Sequence, residues 1–373
     1  MRTNLLILAA AAALLVLAPA GSVATASPGT APTKTVRLQH ALDAVVAAGV
    51  PGALVLVRDG DHTVRLASGQ GNLARRTPMR ASDRFRIGSE TKMFVATVVL
   101  QLVGEGKLSL ADTVERWLPG LVPNGRGITI RQLLNHTSGL FDYAEDKAFI
   151  KQVDNPRKRW APRQLVELAT AHRPLFAPGT RHSYANTGYI LLGLIVEKAT
   201  GNSLPAELRK RIFAPLGLHA TSFPTTPRIA GRYAHGYTRY TKPRLTDISV
   251  FSPSILGAAG AIVSNADDLA RFHQALLRGR LLGPDLLAAM KTTVAVPESG
   301  GHQAYGLGLI RTRYGPCGVF WGHGGGTFGY ETFTDSSGDG KRDLVISVNA
   351  DGSVLRARAQ QALGRLTEIA HCG

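Results

Sequence analysis

Cysteine and acidic residues are scarce in this sequence of 373 residues. It holds only two Cys, and its 26 Asp and Glu are outnumbered by 43 Lys and Arg, which gives a formal net charge of +17. Charged residues make up 18% of the chain and hydrophobic residues 44%, a composition that excludes a disordered protein and allows a large buried core. After the N-terminus no apolar run is long enough to span a bilayer, so we expect no stable membrane anchor.

The sequence also lacks recognisable metal-ligand spacing. None of the 11 His falls in an H-E-x-x-H pattern, and neither Cys has metal-ligand spacing to its neighbours. The segment from Asp335 to Gly340 resembles the start of a calcium loop, but Ile346 stands where the bidentate Glu belongs, which favours a solvated hairpin turn. We therefore expect no metal and no other cofactor.

The positive charge does not point to nucleic acid. Basic clusters are scattered and have no aromatic residues between them, as at Arg75-Arg76, Arg157 to Arg159 and Arg209 to Arg211. A solvated basic surface explains them, with attraction to the anionic polymers of a cell wall as the alternative.

The first 26 residues have the pattern of a secretory signal peptide. Met1-Arg2 gives a positive start, Leu5 to Ala18 an apolar region too short to span a bilayer, and Ala24-Thr25-Ala26 a cleavage site before Ser27. An N-terminal membrane anchor is the alternative. We expect residues 27–33 to form a flexible stub and the mature protein to be secreted, on the cell-wall side.

An exported protein with an even number of cysteines favours a disulfide bond. Cys317 and Cys372 would close a loop of about 55 residues, which the chain-entropy estimate values at about 4 kcal/mol of stability. Two buried free thiols are the alternative.

Hydrophobic periodicity divides the remaining chain into a mixed lobe and a helical lobe. Gly/Pro punctuation and apolar patterns predict a helix over 35–48, strands over 53–58 and 62–67, and a buried helix from Ser89 to about Val103. Further strands are predicted over 305–311, 319–321, 330–334 and 344–348, with a last helix over 354–371. This order predicts a single domain over 34–373, with an α/β lobe over about 34–85 and 250–373, an α lobe over about 86–249, and the active site in the cleft between them.

Ser89-Glu90-Thr91-Lys92 is the first of three motifs that carry chemistry. Ser89 begins a helix, where the positive end of the helix dipole favours developing negative charge. Lys92 is one turn further on and shares its face. A desolvated lysine can lose its proton and act on the serine, so the motif predicts an activated nucleophile. A surface Ser-Lys pair is the alternative, but the surrounding helix is apolar nearly all round.

Tyr184-Ala185-Asn186 supplies a phenol and a carboxamide. The two side chains would point the same way only in an extended or looped segment, which the preceding Pro178 and Gly179 favour. The phenol could carry the serine proton, and the carboxamide could hold the acyl amide of a substrate. A structural tyrosine capped by a core Asn is the alternative.

His323-Gly324-Gly325 is the third motif and the least specific. Gly324 to Gly329 fits G-x-G-x-x-G, but strands flank it, which excludes a dinucleotide site. Glycines here would let a substrate backbone lie close to a strand edge. We predict that His323 is a further base, because it occurs together with the two other motifs.

With these motifs in this order, the chain resembles the penicillin-recognising serine hydrolases, namely class C-type β-lactamases, related esterases and serine D-alanyl-D-alanine carboxypeptidases. The likeness is greatest to the secreted carboxypeptidases of Gram-positive bacteria. It extends to these further segments: 133–140, 178–193, 215–217, 264–272, 305–308 and the two cysteines.

The resemblance implies an α+β fold, with an antiparallel sheet flanked by helices plus an all-α lobe. It implies Ser89 as nucleophile, Lys92 and Tyr184 as proton carriers, and Asn186 on the acyl-side amide. It also implies that the backbone N–H groups of Ser89 and Gly326 form the oxyanion hole. Arg311 would bind the terminal carboxylate of the substrate.

Two departures from the family pattern bear on the substrate. β-Lactamases usually carry Lys at the position of His323, so His favours a carboxypeptidase or esterase. The carboxypeptidases carry hydroxyl residues at the positions of Gly324 and Gly326, and their loss removes two hydrogen bonds to a carboxylate, each worth about 1.5–3 kcal/mol.

The sequence therefore predicts a monomeric serine-type D-alanyl-D-alanine carboxypeptidase. It would act on peptidoglycan stem peptides ending in D-Ala-D-Ala, through an acyl-enzyme at Ser89, and β-lactams would trap the same serine. An esterase or β-lactamase of the same family is one alternative. A non-catalytic wall-binding protein is an alternative from another class.

Overall fold

A computed structural model describes residues 32–150, 155–240 and 242–373. The predicted signal peptide, and all of the stub except its last two residues, lie outside this range. Within it, no helix is long and apolar enough to cross a membrane.

One helix and four strands open the described chain, a mainly helical middle follows, and six strands and a last helix lie near its end. The helices are α1 Lys34–Ala47, α2 Thr91–Gly104, α3 Val114–Trp117, α4 Ile130–Leu134, α5 Lys147–Ile150, α6 Pro162–Thr170, α7 Asn186–Thr200, α8 Leu204–Leu208, α9 Ala266–Leu277, α10 Pro284–Lys291 and α11 Ala357–Cys372. The strands are β1 Gly52–Asp59, β2 His62–Asn72, β3 Thr77–Pro78, β4 Phe85–Arg86, β5 Tyr237–Thr238, β6 Thr246–Asp247, β7 Val263–Ser264, β8 Val294–Ala295, β9 Gln303–Tyr305, β10 Ile310–Arg313, β11 Val319–Thr327, β12 Tyr330–Ser337 and β13 Arg342–Val348.

Nine of the strands form one sheet in the order β3-β2-β1-β13-β12-β11-β10-β9-β8. All of its pairings are antiparallel, and Val55 of β1 lies opposite Ile346 of β13, so an early and a late strand of the described chain pair inside the sheet. Because side chains alternate along a strand, Val55 packs with α1 and α11 on one face, while Leu54 joins the core that contains α2 on the other. The predicted α+β fold class is confirmed.

The helix predicted from Ser89 begins at Thr91, after a single 3-10 turn at Gly88–Glu90. It is buried on nearly every side, in agreement with its apolar sequence, and Phe94 stacks on Phe272 of α9 with ring centroids 3.7 Å apart. This packing fixes the position of the serine at its N-terminal end.

Two strand predictions near the C-terminus were wrong. The strand predicted over 305–311 is split into β9 and β10 by a tight turn, in which the Gly306 N–H donates to the Leu309 carbonyl at 2.7 Å. The strand predicted over 319–321 continues to Thr327, because its glycines pair with β12 in unbroken register.

The turn predicted over 335–340 was also wrong at its start. Asp335 lies inside β12, where its carboxylate accepts a hydrogen bond from the Tyr314 hydroxyl at 2.6 Å and lies 3.3 Å from His371 Nε2. The disulfide between Cys317 and Cys372 joins α11 to the same region, with Cα atoms 5.0 Å apart. The lobe boundaries stay a prediction.

Candidate active site

Ser89 lies in the 3-10 turn between β4 and α2, and this turn packs against β11. Gly88 has φ +52°, and a Cβ atom there would lie 2.7 Å from the carbonyl oxygen of Gly326. A Cβ at Gly325 would overlap the carbonyl oxygen of Ile87. Only glycine fits at both positions, 88 and 325. The turn that carries Ser89 can therefore lie directly against the backbone of β11.

Lys92 is fully buried one turn after the serine. Its Nζ donates to Ser89 Oγ at 2.9 Å, to Asn186 Oδ1 at 2.8 Å and to the Ala259 carbonyl at 2.8 Å. Burial lowers the pKa of Lys92 well below its ordinary value of 10.5, although the negative charge of Asp142 raises it in part. The lysine is thus placed to exchange a proton with Ser89.

Tyr184 lies in the extended segment before α7, as the Pro178-Gly179 signal predicts. Its hydroxyl lies near Ser89 but makes no hydrogen bond of ordinary geometry with the described residues. The ring is 4.8 Å from Lys92 Nζ and 4.2 Å from the ring of His136. Burial raises the pKa of the phenol well above 10, so it is protonated at neutral pH and can donate a proton.

Asn186 is the first residue of α7 and joins Lys92 to a carboxylate that the motifs do not contain. Its Oδ1 accepts from Lys92 Nζ, and its Nδ2 donates to Asp142 Oδ2 at 2.8 Å. Burial raises the pKa of Asp142.

His323 is buried beside Tyr184, with ring centroids 6.3 Å apart, but both of its nitrogens are engaged elsewhere. Nδ1 bonds to the Gly324 carbonyl, which can only accept, so Nδ1 carries the proton and Nε2 accepts from the Tyr305 hydroxyl at 2.8 Å. Burial lowers the pKa of His323 to about 3, so the ring is neutral. A role as base stays a prediction, and in this structure the histidine braces the wall of the site.

The oxyanion hole predicted from Ser89 and Gly326 lies at an open strand edge. β10 pairs with β11 only over residues 319–322, so from His323 onward the edge of β11 opposite β12 faces the Gly88–Glu90 turn. Thr327 and Tyr330 close a two-residue hairpin loop as a hydrogen-bonded pair, and the alternation of an antiparallel ladder then directs the N–H of Gly326 to the open edge.

The two hydroxyl positions that hold glycine differ in their surroundings. A Cβ at Gly324 would have no neighbour nearer than 4.0 Å, whereas one at Gly326 would lie 3.0 Å from both carboxylate oxygens of Glu331. Burial and the nearby Asp351 raise the pKa of Glu331 well above its usual range. No cation lies within 4.0 Å of this carboxylate among residues 32–150, 155–240 and 242–373. The strand edge therefore offers a carboxyl group where the carboxypeptidases offer hydroxyls.

Arg311 lies one strand away from the other predicted site residues. It stands on β10 opposite Trp321, on the face of the sheet that carries His323, and makes no hydrogen bond or ion pair with any described residue. The structure thus brings Ser89, Lys92, Tyr184 and Asn186 into contact and leaves the guanidinium of Arg311 without a partner in the described chain.

Sequence reasoning missed three side chains that support the site. Asp142 holds Asn186, Tyr305 holds His323, and His136 accepts the Ala185 N–H on its Nδ1 at 3.2 Å. Both His136 and Tyr305 lie in segments that carry the family resemblance, which was the available signal. No sequence signal marked Asp142, because its partner Asn186 is 44 positions away.

The comparisons with known proteins agree with this geometry. A protein-family model described as Beta-lactamase matches residues 38–366. The chain is 30% identical over 314 residues to Penicillin-binding protein 4* of Bacillus subtilis, an alignment that covers 80% of this chain and 68% of that protein.

Two solved structures are similar over nearly their full length. One is a D-stereospecific amidohydrolase from Streptomyces sp., with a TM-score of 0.84 and 39% identity over 91% of this chain and 99% of the other. The second is the D-amino acid amidase from Ochrobactrum anthropi SV3, with a TM-score of 0.79 and 30% identity. The match covers 90% of this chain and 98% of the other. This chain therefore belongs to the β-lactamase family of penicillin-recognising serine hydrolases.

Proposed function

We propose that the protein hydrolyses the amide bond that follows a D-amino acid, through an acyl-enzyme at Ser89. The observation that carries this proposal is the 2.9 Å contact between Lys92 Nζ and Ser89 Oγ in a fully buried setting. Burial favours the neutral amine, and only the neutral amine can take the proton of the serine.

The reaction would proceed in two steps through the same serine. Lys92 takes the proton of Ser89 while Oγ bonds to the substrate carbonyl carbon, and the N–H groups of Ser89 and Gly326 bind the oxyanion. Tyr184 then protonates the leaving nitrogen as the C–N bond breaks, and Lys92 returns the proton to the phenol. Water attacks the resulting ester, loses its proton to the same groups, and restores the serine hydroxyl.

The leaving group is the part of the substrate that the strand edge constrains most directly. With glycine at positions 324 and 326, neither position can offer a hydroxyl to a terminal carboxylate, and Glu331 would repel one whenever it is ionised. This supports substrates whose leaving group carries no carboxylate, such as D-amino acid amides. The two similar solved structures are named for such activities, a D-stereospecific amidohydrolase and a D-amino acid amidase.

A second candidate is the D-alanyl-D-alanine carboxypeptidase that the sequence predicts. Arg311 favours it, because its guanidinium has no partner among the described residues and a substrate carboxylate would supply one. On this proposal the protein is secreted and acts on peptidoglycan stem peptides.

A substrate panel tests the proposal and ranks the two candidates. Purified protein should turn over D-phenylalanine amide faster than L-phenylalanine amide and faster than a peptide ending in D-Ala-D-Ala, with Ser89→Ala inactive on all three. Faster release of D-Ala from the peptide would favour the carboxypeptidase. No turnover of these amides, nitrocefin or p-nitrophenyl acetate, together with peptidoglycan binding that survives Ser89→Ala, would favour a non-catalytic wall-binding protein.

A further inference from the structure

Asp142 is a buried carboxylate directly behind the proposed proton-transfer groups. It precedes the 3-10 turn at Tyr143–Glu145, and its Oδ1 accepts the Ala144 N–H at 3.0 Å. Its Oδ2 accepts Asn186 Nδ2 at 2.8 Å, and Asn186 Oδ1 in turn accepts Lys92 Nζ at 2.8 Å. The three side chains form one hydrogen-bonded chain that ends at the amine beside Ser89.

The number of N–H donors on Lys92 explains why this series of hydrogen bonds matters. A charged lysine has three N–H donors, and three acceptors surround Lys92: Ser89 Oγ, Asn186 Oδ1 and the Ala259 carbonyl. A neutral amine has two N–H donors and one lone pair. If the two carbonyl oxygens keep the two donors, the lone pair points at the serine.

This arrangement requires the Asn186 amide to keep its oxygen toward the lysine. A reversed amide would direct Nδ2 at the amine and occupy its lone pair. Ionised Asp142 can only accept hydrogen bonds, so it holds Nδ2 on its own side and Oδ1 on the side of Lys92. An asparagine in its place could donate as well as accept, and the constraint would be lost.

We infer that Asp142 is a positioning residue, which acts through Asn186 to aim the lone pair of Lys92 at Ser89. This inference rests on the proposed function, because it concerns proton transfer in the acylation of Ser89. Asp142 itself does not touch Ser89 through any hydrogen bond in the described chain.

In the part of the chain that the structure describes, the other titratable side chains packed around Lys92 lack charge at neutral pH. His136 and His323 have lowered pKa values because they are buried, and Tyr184 and Tyr189, whose rings lie 4.8 and 5.5 Å from Nζ, have raised ones for the same reason. Tyr143, beside Asp142, is protonated as well. The negative charge of Asp142 is therefore the one that opposes deprotonation of Lys92.

Asp142→Asn should consequently change two properties of the pH profile of acylation. Loss of the amide constraint should lower the plateau of kcat/KM for acylation, by roughly tenfold to a hundredfold. Loss of the charge should move the acidic limb of the pH profile to lower pH, by about one unit. A purely structural role would lower the plateau or the melting temperature and leave the limb where it is.

The test measures acylation by nitrocefin or by the preferred amide from pH 5 to 10, with circular dichroism to check folding. Asp268→Asn is the matched control, since Asp268 is also buried but bonds to Thr221 and Ala220, which share no hydrogen bond with Lys92. The acidic limb of this variant should not move. In folded Asp142→Asn, an unchanged plateau or an unmoved limb overturns the positioning role alone. A wild-type protein that acylates with nothing overturns the proposed function and this inference with it.

Asp142→Glu supplies a second test that does not depend on folding of the Asn variant. It keeps the charge but lengthens the side chain, so the limb should stay near that of the wild type while the plateau falls. An unchanged plateau would show that the hydrogen bond to Asn186 is not needed, and would contradict the inference.

Discussion

A Cβ atom at Gly325 would overlap the carbonyl oxygen of Ile87, so the turn before the nucleophile lies directly on the backbone of β11. The distance between the N–H of Ser89 and the N–H of Gly326 depends on this contact. The third motif therefore shapes the site through the side chain that Gly325 lacks as much as through the imidazole of His323.

Gly325→Ala should weaken acylation and stability together. The added methyl group must push β11 away from the turn, which costs about 1–3 kcal/mol of unfolding free energy as an overpacked contact. Separation of the two oxyanion donors should lower kcat/KM by roughly a hundredfold. Acylation kinetics and thermal melting measure both effects.

Gly324→Ala is the control for that variant, because its Cβ has no neighbour nearer than 4.0 Å. It should keep the melting temperature and most of the activity. Equal effects of the two substitutions would contradict the steric account.

The rate of acylation should rise with pH as Lys92 loses its proton. Since burial lowers the pKa of Lys92, the rise should be complete well below the ordinary lysine value of 10.5. Lys92→Arg, which keeps its proton across this range, should abolish the rise together with the activity. Stopped-flow acylation at a series of pH values measures it.

His323 should contribute no limb to this profile, because burial lowers its pKa to about 3. A limb near pH 6.5 that disappears in His323→Asn would show that the histidine is the base in acylation, and would contradict the assignment to Lys92.

Glu331→Gln should improve substrates that end in a carboxylate. The carboxyl group lies beside Gly326 and repels a terminal carboxylate whenever it is ionised, so its neutralisation should raise kcat/KM for a D-Ala-D-Ala peptide roughly three- to tenfold. Because burial raises the pKa of Glu331, the gain should be larger at high pH than at low pH.

Turnover of D-phenylalanine amide, which carries no carboxylate, should change little in Glu331→Gln. Glu368→Gln removes an equal charge from the exposed side of α11 and should leave both substrates unaffected. A uniform gain on the amide and the peptide would argue against charge discrimination.

Removal of the disulfide should lower stability without changing the active site. The chain-entropy estimate for a loop of 55 residues is about 4 kcal/mol of unfolding free energy, lost in the Cys317→Ser, Cys372→Ser double variant. Urea unfolding of oxidised and variant protein measures it. If reductant leaves the wild-type midpoint unchanged, the two cysteines are not bonded in solution.

The sequence predicted best where chemistry depends on local spacing. Ser89 and Lys92 lie one turn apart, so their proximity followed from short-range geometry. Tyr184 was assigned to the same site only through the family resemblance, and its ring lies 4.8 Å from Lys92 Nζ. The sequence predicted poorly where tertiary contacts decide. Asp142 reaches Asn186 across 44 positions, and the site role of Tyr305 depends on its bond to His323 on another strand.

The strand errors have the same origin. Periodicity gave no sign that the chain turns between Tyr305 and Ile310, because the turn is set by backbone hydrogen bonds. Asp335 was expected in a solvated turn because its segment resembles the start of a calcium loop without the bidentate Glu, yet Tyr314 and His371 supply partners for it inside the sheet. Polar residues buried with partners resist prediction from hydropathy.

The proposed function depends on acylation of Ser89, which mass spectrometry of the protein after incubation with benzylpenicillin detects. We expect a mass increase of one penicilloyl group, located on the peptide that contains Ser89 and absent in Ser89→Ala. An unmodified Ser89 peptide, under conditions in which the folded protein remains intact, would contradict it.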